Sequence, residues 1–441
     1  MPTAILSQET IDSQITDTAV PALAKLKQAG WEQFQQTPMP KRTMERWRFA
    51  NLQHVTLEGY SIPAAPSADL QKIILDKSNL LSEISARLVF ADGYLIGTDS
   101  LPSELAAKGV ILAPLSEAAQ KHPKLLEKYL LKSGTELGGD KFLALHQAYL
   151  SSGYVLYVPK GVEIEKPVVI YNWAVSAGAA IFPHTLIVAE DNARVSVVDF
   201  YLSFDETSPA LATSAADIHA GAGAGVFRKS VQNWNEASQS YQIDTTHAEQ
   251  DSTITSVSVN LGAKRARFES AIQINGTAAN VRLYGLTVAD RDQEFDQRTL
   301  QVHNAPGATS DLLYKNALLD QARTIFSGMI RVAPDAQKTD AYQTNRNLLL
   351  SPEAEANSLP GLEIEANDVK CSHGATTGQL DTSELFYMLA RGIPKETAYE
   401  LLVFGFFEEI IEKVDNEELA ETLRNFVQDK FRRRETKLSV S

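Results

Sequence analysis

The chain has 441 residues, of which 44% are hydrophobic and 22% charged, and its formal net charge is −14 at pH 7. This length predicts two or three domains or one elongated domain, and the composition is that of a soluble protein. The acidic balance disfavours nucleic acid and anionic membranes as partners, because both attract basic surfaces.

The cysteine count and the apolar runs indicate the compartment. Cys371 is the single cysteine, so no disulfide can form within one chain. No signal peptide is visible at the start, and the longest apolar run, at 401–407, is far too short to span a bilayer. We therefore expect a cytoplasmic protein or one from a comparably reducing compartment.

Residues 1–140 are predicted to form a mostly helical N-terminal domain. Helix formers dominate Thr18–Gln36, residues 85–97 indicate two strands around a turn at Asp92–Gly93, and Pro123 divides a later helix. A basic and aromatic cluster follows the first long helix. It is either a partner surface or an aromatic pair that packs the helix, with arginines lying over it, and we favour packing. The cluster comprises Arg42, Arg46, Trp47, Arg48 and Phe49.

Residues 141–375 carry a repeat. Short β-branched runs alternate with polar breaks at a period of roughly 28 residues, and weaker breaks fall near the midpoints. Each unit is therefore a strand of roughly 6 to 8 residues plus a turn. The strong breaks are Asn192, Gly221, Gln250, Gly276, Pro306 and Pro334, and the weaker ones are Glu206, Asn235, Gly262, Arg291 and Asp320.

A fixed period of this length is typical of stacked coils, since one unit cannot bury its own apolar face. Two strands per coil predict a flattened parallel β-helix. An antiparallel meander is the alternative, but tight hairpin dipeptides are scarce, and only Asn275–Gly276 lies in register. We therefore predict a mainly β fold, a parallel β-helix flanked by helical domains.

Residues 376–441 are predicted to be helical. A first helix, Thr382–Arg391, should end at Gly392, and Pro394 should open the next one. Asp415 and Glu418 have the spacing of a capping box at the start of the last helix.

The middle helix of this region is apolar on more than one face. Either it is sandwiched inside its own domain or one apolar face docks a partner, and the pattern does not decide between these alternatives. The apolar positions are Leu401, Leu402, Phe404, Phe406, Phe407, Ile410, Ile411 and Val414.

The sequence gives little support to a nucleotide site or a histidine metal site. The segment GTELGGDK at 134–141 has Asp140 where a phosphate loop needs lysine, and GAGAG at 221–225 lacks the last glycine of a dinucleotide fingerprint. The histidines at 184, 219, 247 and 303 lie in different repeat units. Stacked coils could bring some of them together, although lone histidines are more often structural.

Cys371 and His373 form the remaining candidate site. The alternating segment 362–373 indicates a strand, in which residues i and i+2 share a face about 6.5 Å apart. A zinc site needs four ligands and a conventional iron–sulfur cluster four cysteines, so the pair cannot complete such a site alone. It is either part of a site shared with another chain or a buried free cysteine beside a structural histidine.

Several motifs resemble the SufB/SufD family of iron–sulfur cluster assembly proteins. SHGATTGQLD at 372–381 and FYMLARGIP at 386–394 are similar to the C-terminal signature of the family. Residues 142–170 resemble its entry into the β-helix, and PKRTMERWRFANL at 40–52 resembles a weaker N-terminal motif. The motif after the histidine is closer to SufD members than to SufB members, which tend to carry glutamate there. Two departures, His146 for asparagine and Ala390 for serine, lie away from Cys371 and His373.

This resemblance implies a right-handed parallel β-helix between helical domains, and a complex with SufB and the ATPase SufC. The end of the β-helix would pair with SufB, where a nascent, transient cluster forms. His373 would be a ligand, and Cys371 an auxiliary ligand or a sulfur relay. The C-terminal helices would dock SufC, which supplies the nucleotide site. The residues implied for that contact are Phe404, Phe406, Phe407, Ile410 and Ile411.

The resulting interpretation is a scaffold subunit without turnover of its own, which could also form a homodimer in isolation. Two alternatives remain. One is a SufB-like homodimer that binds a cluster alone, and the other is a β-helix carbohydrate-active enzyme. The sequence leaves open the iron source and whether a flavin takes part.

Overall fold

A computed structural model describes residues 3–16 and 18–438. The first third of the chain mixes helices with short strands. These are β1 (Thr3–Ala4), α1 (Gln8–Thr16), α2 (Pro21–Gln36), β2 (Ser61–Ile62), α3 (Ala68–Lys77), β3 (Ala86–Ala91), β4 (Tyr94–Asp99), α4 (Ser103–Ala107), β5 (Ile111–Pro114), α5 (Leu115–Lys121), α6 (Pro123–Tyr129) and α7 (Asp140–Ala148). The predicted strand pair around Asp92–Gly93 and the helix break at Pro123 are confirmed.

Strands then follow one another to residue 379. They are β6 (Ser152–Val158), β7 (Val168–Ala174), β8 (Ala179–Ile181), β9 (Pro183–Ala189), β10 (Arg194–Ser203), β11 (Ala210–Ala220), β12 (Gly225–Asn233), β13 (Gln239–Ala248), β14 (Thr253–Asn260), β15 (Arg265–Ile274), β16 (Asn280–Ala289), β17 (Glu294–His303), β18 (Thr309–Leu318), β19 (Arg323–Val332), β20 (Asp340–Leu349), β21 (Glu355–Ile364) and β22 (Lys370–Gln379). Three α-helices complete the described part of the chain, α8 (Thr382–Ala390), α9 (Lys395–Ile411) and α10 (Glu417–Leu438).

The strands from β7 onward form two facing sheets of a parallel solenoid. One sheet contains β8, β11, β13, β15, β17, β19 and β21 in that order, and the other runs from β7 through the even-numbered strands β10 to β22. Gln239 pairs with Arg265 and Arg323 pairs with Glu355, so a coil takes between 26 and 32 residues. The predicted β-helix with two strands per coil is therefore confirmed.

All eleven predicted breaks fall in the connections between strands. The predicted strand length was too short, because strands from β10 onward have 8 to 11 residues. Polar residues such as Asn316 and Asn347 lie inside the solenoid and bond to each other across coils, so strand pairing extends beyond the apolar runs of the sequence. Asn275–Gly276 joins β15 in one sheet to β16 in the other and makes no hairpin.

The N-terminal helices cover the sheet that contains β11 and β13. Trp31, Phe142 and Tyr149 share a buried cluster with Leu211 and Tyr241. Helices α2 and α7 approach closely at Gly30, where a Cβ atom would lie 2.6 Å from the backbone nitrogen of Ala148.

The basic and aromatic cluster at 42–49 packs as we favoured. Trp47 is buried, its Nε1 donates to the Gly138 carbonyl at 2.9 Å, and the Arg267 guanidinium lies 3.8 Å above its ring. The arginine over this tryptophan comes from the solenoid, whereas Arg46 and Arg48 are exposed.

The C-terminal helices cover the opposite sheet. Residues of α9 and α10 share one buried cluster with outward-facing residues of β10 to β18. Lys430 of α10 is buried and reaches a corner of the solenoid, where its Nζ lies 3.0 Å from Asp290 and donates to the Leu261 carbonyl at 2.6 Å. Among the described residues, no helix combines the length and apolar character that crossing a membrane requires.

The helix boundaries of this region agree with the sequence except at the last cap. Gly392 has a positive φ of 80° just after α8, and Pro394 precedes α9. The predicted capping box of Asp415 and Glu418 is wrong. The Leu419 backbone N–H bonds to Asn416, and the Glu418 carboxylate accepts the backbone N–H of Ser82 at 2.8 Å.

Candidate assembly site at the open end of the solenoid

The two sheets end at β21 and β22, whose outer edges have no neighbouring strand among the described residues. No residue of either strand is buried, although every residue of β17 is. Backbone N–H and C=O groups on such an edge can pair with a strand of another chain. This end of the solenoid is therefore open to a partner.

Cys371 and His373 lie on β22, opposite Ala341 and Gln343 of β20. Both of these partners are buried in the solenoid interior, so Cys371 and His373 continue an inward-facing row at the point where the solenoid stops. His373 is exposed and Cys371 half-buried. The predicted continuous strand up to His373 is interrupted, since β21 ends at Ile364 and β22 starts at Lys370.

The surroundings of Cys371 keep its thiol protonated. Burial raises the pKa of the thiol, and the Ala341 backbone N–H opposes that shift. The side chain packs beside a small apolar cluster containing Val332 and Ala366. A thiol of this kind becomes a thiolate ligand when a metal ion displaces its proton.

The candidate site is incomplete within this chain. Across residues 3–16 and 18–438, no group of three or more histidine, cysteine, aspartate or glutamate residues is arranged to hold a metal ion. Cys371 and His373 can supply two ligands from one strand, which agrees with the ligand count from the sequence. Any cluster held here needs further ligands from another molecule.

A row of polar side chains inside the solenoid ends at the same strand. The Asn316 side chain donates to Asn347 at 2.8 Å, and Asn347 donates to the Thr377 hydroxyl at 3.3 Å. These residues share one register position on β18, β20 and β22. The ladder fixes β22 in register with the coil beneath it. This ladder cannot be recognised from the order of residues, because only the coil register aligns positions that are 30 or 31 residues apart.

The structure corrects the predicted partner surface on α9. Phe407, Ile410 and Ile411 are buried in the chain's own core against the solenoid sheet, and Phe404 and Phe406 are half-buried. Phe407, Ile410 and Ile411 are therefore packed inside the chain's own domain, because the apolar outer face of the sheet must be buried against a helix.

Other apolar residues of the C-terminal region are exposed. Helix α8 has no buried residue, and Phe386 and Tyr387 are 71% and 57% exposed. Leu401 on α9 is 49% exposed. The sequence contained this signal in FYMLA, where large apolar residues occupy adjacent positions on more than one face of a short helix.

Comparisons with known proteins agree with this architecture. Residues 172–406 match the family model described as SUF system FeS cluster assembly, SufBD core domain, and residues 8–170 match the SufBD protein N-terminal region. The chain is 29% identical to the iron–sulfur cluster assembly protein SufD of Bacillus subtilis, over 93% of this chain and 94% of the relative.

The Escherichia coli protein of the same name is 28% identical, over 88% of each chain. A SufBD family protein of Synechocystis is 29% identical, over 88% of this chain and 87% of the relative. Since the core model alone covers more than half of the chain, and the two models together cover nearly all of it, the chain belongs to the SufBD family of iron–sulfur cluster assembly proteins.

Proposed function

We propose that this chain is a SufD-type scaffold subunit, which helps to assemble iron–sulfur clusters at a site shared with a SufB-type partner. It has no turnover of its own, and iron and sulfide are its cargo. The names of the relatives support the assembly function. The family match also favours assembly over a carbohydrate-active β-helix enzyme.

The observation that carries the proposal is the coincidence of two features on β22. Among the described residues no strand pairs with the outer edge of β22, which supports a contact with another chain, and the strand carries the two candidate ligands Cys371 and His373. A partner strand added to this edge would lie about 4.8 Å away and could bring the missing ligands to the same layer.

Within that shared site, His373 binds iron through an imidazole nitrogen. Cys371 acts as an auxiliary ligand, whose thiol loses its proton as the metal binds, or as a sulfur relay, whose thiolate takes the outer sulfur of a persulfide on the partner and releases the partner's thiolate. Imidazole and thiolate are both suitable ligands for iron in clusters. The SufB-type partner supplies the remaining ligands.

Energy for assembly comes from a SufC-type ATPase that docks on the C-terminal helices. The exposed residues Phe386, Tyr387 and Leu401 support this position, since large apolar side chains left exposed can mark contact sites. The complex works in the cytoplasm, which agrees with the single cysteine.

The test of the ligand role is cluster assembly by the reconstituted complex containing His373→Ala. We expect the complex to form and the yield of cluster, measured by iron and sulfide content, to fall at least tenfold. Cys371→Ser should give a smaller loss. The matched control is Ser372→Ala, which changes the neighbouring side chain on the opposite face of β22. Normal cluster yield from an intact complex with His373→Ala would remove this residue from the mechanism.

The test of the docking surface is ATPase binding by the double variant Phe386→Ala, Tyr387→Ala. Both side chains are exposed, so the fold should persist while the affinity for the ATPase falls at least tenfold. Unchanged affinity would exclude α8 from the contact. A chain expressed without partners that carries a stoichiometric cluster would instead favour the SufB-like homodimer.

A further inference from the structure

A column of alternating charges runs along the outer face of the sheet that ends at β21. Its members, on β15, β17, β19 and β21 in turn, are Arg265, Glu294, Arg323 and Glu355. Neighbouring strands lie about 4.8 Å apart, so each side chain lies beside the members before and after it. Glu294 and Arg323 therefore have an opposite charge on both sides, whereas Glu355 has one on one side only.

The contacts in this column follow the register. Arg323 Nη1 lies 3.6 Å from Glu294 Oε2, and Arg323 Nη2 lies 3.2 Å from Glu355 Oε1. The same oxygen of Glu355 also accepts from Asn357 Nδ2 at 2.7 Å. Burial raises the pKa of Glu294, and the Asn51 backbone N–H and the two neighbouring arginines oppose that shift. The Glu294 side chain is 8% exposed and the Glu355 side chain 54%, so the column emerges into solvent at the open end of the solenoid.

A second, shorter column ends at the same edge. Arg331 of β19 pairs in register with Glu363 of β21, and Arg331 Nε lies 3.0 Å from Glu363 Oε2. Arg331 Nη1 lies 3.1 Å from a carboxylate oxygen of Glu136, so one guanidinium contacts two carboxylates. The Glu363 side chain is 54% exposed. Both columns thus end in a half-exposed glutamate on the last strand of the sheet.

The two terminal glutamates have a fixed spacing. Glu355 and Glu363 are eight positions apart on one face of β21, which is about 26 Å along the strand. Between them the same face carries Asn357, Leu359 and Gly361, so it offers no cation of its own. Leu359 lies midway and is 37% exposed. A strand added to this edge would lie opposite an acidic residue at each end and an apolar residue in the middle.

A strand that continues both columns must supply positive charges. A partner strand beside β21 places its own side chains about 4.8 Å from those of β21 and on the same face. We propose that the SufB-type partner adds a strand to this edge and carries Lys or Arg at two positions eight residues apart, opposite Glu355 and Glu363. This inference rests on the proposed shared site and adds the chemistry of the strand that the partner brings to it.

A second copy of this chain does not provide such a strand. When two copies of β21 lie antiparallel with Leu359 beside Leu359, Glu355 of each copy faces Glu363 of the other. Strand β22 of a second copy offers one such charge, because Lys370 is the only lysine or arginine between residues 370 and 379. Like charges placed directly opposite each other on neighbouring strands are destabilising. The two columns therefore favour a different chain over a second copy as the partner at this edge.

The size and the sign of the electrostatic effect set the expected results. An exposed ion pair changes an equilibrium constant by about twofold to fivefold, so two pairs at this edge amount to about tenfold. Salt screens the attraction to a basic strand and also the repulsion between two copies. Binding to the SufB-type partner should therefore weaken as the salt concentration rises, whereas self-association of this chain should strengthen.

Analytical ultracentrifugation of the full-length chain, alone and with the SufB-type partner, tests the proposal at about 0.05 M and about 0.5 M salt. In the double variant Glu355→Gln, Glu363→Gln the amide oxygens still accept from the arginines of β19, so the fold should persist. We expect this variant to bind the partner about tenfold more weakly at low salt, to self-associate more strongly there and to lose most of both salt responses. The matched control is Glu58→Gln, Glu104→Gln, which removes the same number of charges from exposed positions outside the end strands and should leave both responses unchanged.

Two results would overturn the proposal. One is a Glu355→Gln, Glu363→Gln variant that binds the partner as tightly as the unchanged chain and with the same salt dependence. The other is undiminished partner binding at low salt by a folded Glu355→Arg, Glu363→Arg variant, in which two positive charges would face the basic strand. A chain that does not bind the SufB-type partner at all would contradict the proposed function, and with it the inference that rests on it. Tight binding that is indifferent to both glutamates would contradict this inference alone.

Discussion

Replacing Phe407 by alanine tests whether α9 belongs to the core of this chain. The Phe407 side chain is fully buried and belongs to the same cluster as Tyr284 of β16 and Leu313 of β18. Truncation removes an aromatic ring from a packed interface and leaves a cavity, which costs about 3–5 kcal/mol for phenylalanine in a core. That is a large part of the stability of an ordinary domain.

The assay must resolve local from global unfolding, because a chain of this length need not unfold in one step. Urea unfolding followed by circular dichroism gives the global midpoint, and hydrogen exchange of peptides from α9 and α10 gives the local one. We expect Phe407→Ala to lower both and to release the C-terminal helices from the solenoid first. The matched control is Leu401→Ala on the same helix, whose half-exposed side chain should contribute less than about 0.5 kcal/mol.

Any of three results would contradict a core position for this face of α9. The first is unchanged hydrogen exchange in α9 and α10 of Phe407→Ala, which would mean that packing of Phe407 against the solenoid does not stabilise these helices. Equal destabilisation by Leu401→Ala would mean that the two faces of α9 do not differ in packing. A partner-binding defect in Phe407→Ala without loss of stability would restore the surface role that the sequence suggested.

Three further predictions concern the solenoid. Arg267→Met leaves the buried carboxylates of Glu269 and Asp296 without this arginine and should cost about 3–5 kcal/mol, measured as a shift of the urea midpoint. Burial lowers the pKa of His303 to about 4, so its contribution is present above pH 6.5 and is lost as pH falls to 4. His303→Gln should reduce the acid sensitivity of unfolding by about 3 kcal/mol at most, and an unchanged pH profile would contradict this. Gly328→Ala would put a methyl group against side chains that cross the interior, and should cost about 1–3 kcal/mol by differential scanning calorimetry.

The repeat was predictable from the sequence because every coil has an apolar strand face that must be buried against its neighbours. An apolar strand face that cannot be buried within one unit recurs at the coil length, and turn residues recur with it. All the predicted breaks are therefore connections in the structure. Strand length was underestimated because polar residues such as Asn316 and Asn347 lie inside the solenoid, where they bond to each other across coils.

The helical regions were less predictable in detail. The capping-box pattern at Asp415 and Glu418 depends on local bonds, but Glu418 bonds to the backbone of Ser82 in a distant segment. The apolar residues of α9 did not indicate which face is buried within the chain. A helix packed between two apolar surfaces has the same hydrophobic pattern as a helix whose second apolar face binds a partner. Packing against the solenoid sheet removes Phe407 from the candidate surface and leaves the exposed residues of α8.

The sequence by itself determined the coil, the position of Cys371 and His373 on one strand face, and the deficit of ligands for a complete cluster. Period, strand alternation and ligand count are properties of the chain order, so they need no tertiary contacts. Only the tertiary structure decided that this strand is an open edge. It also brought His146 of α7 to within 3.1 Å of His184 of β9, because residues far apart in the chain meet only once α7 packs on the stacked coils.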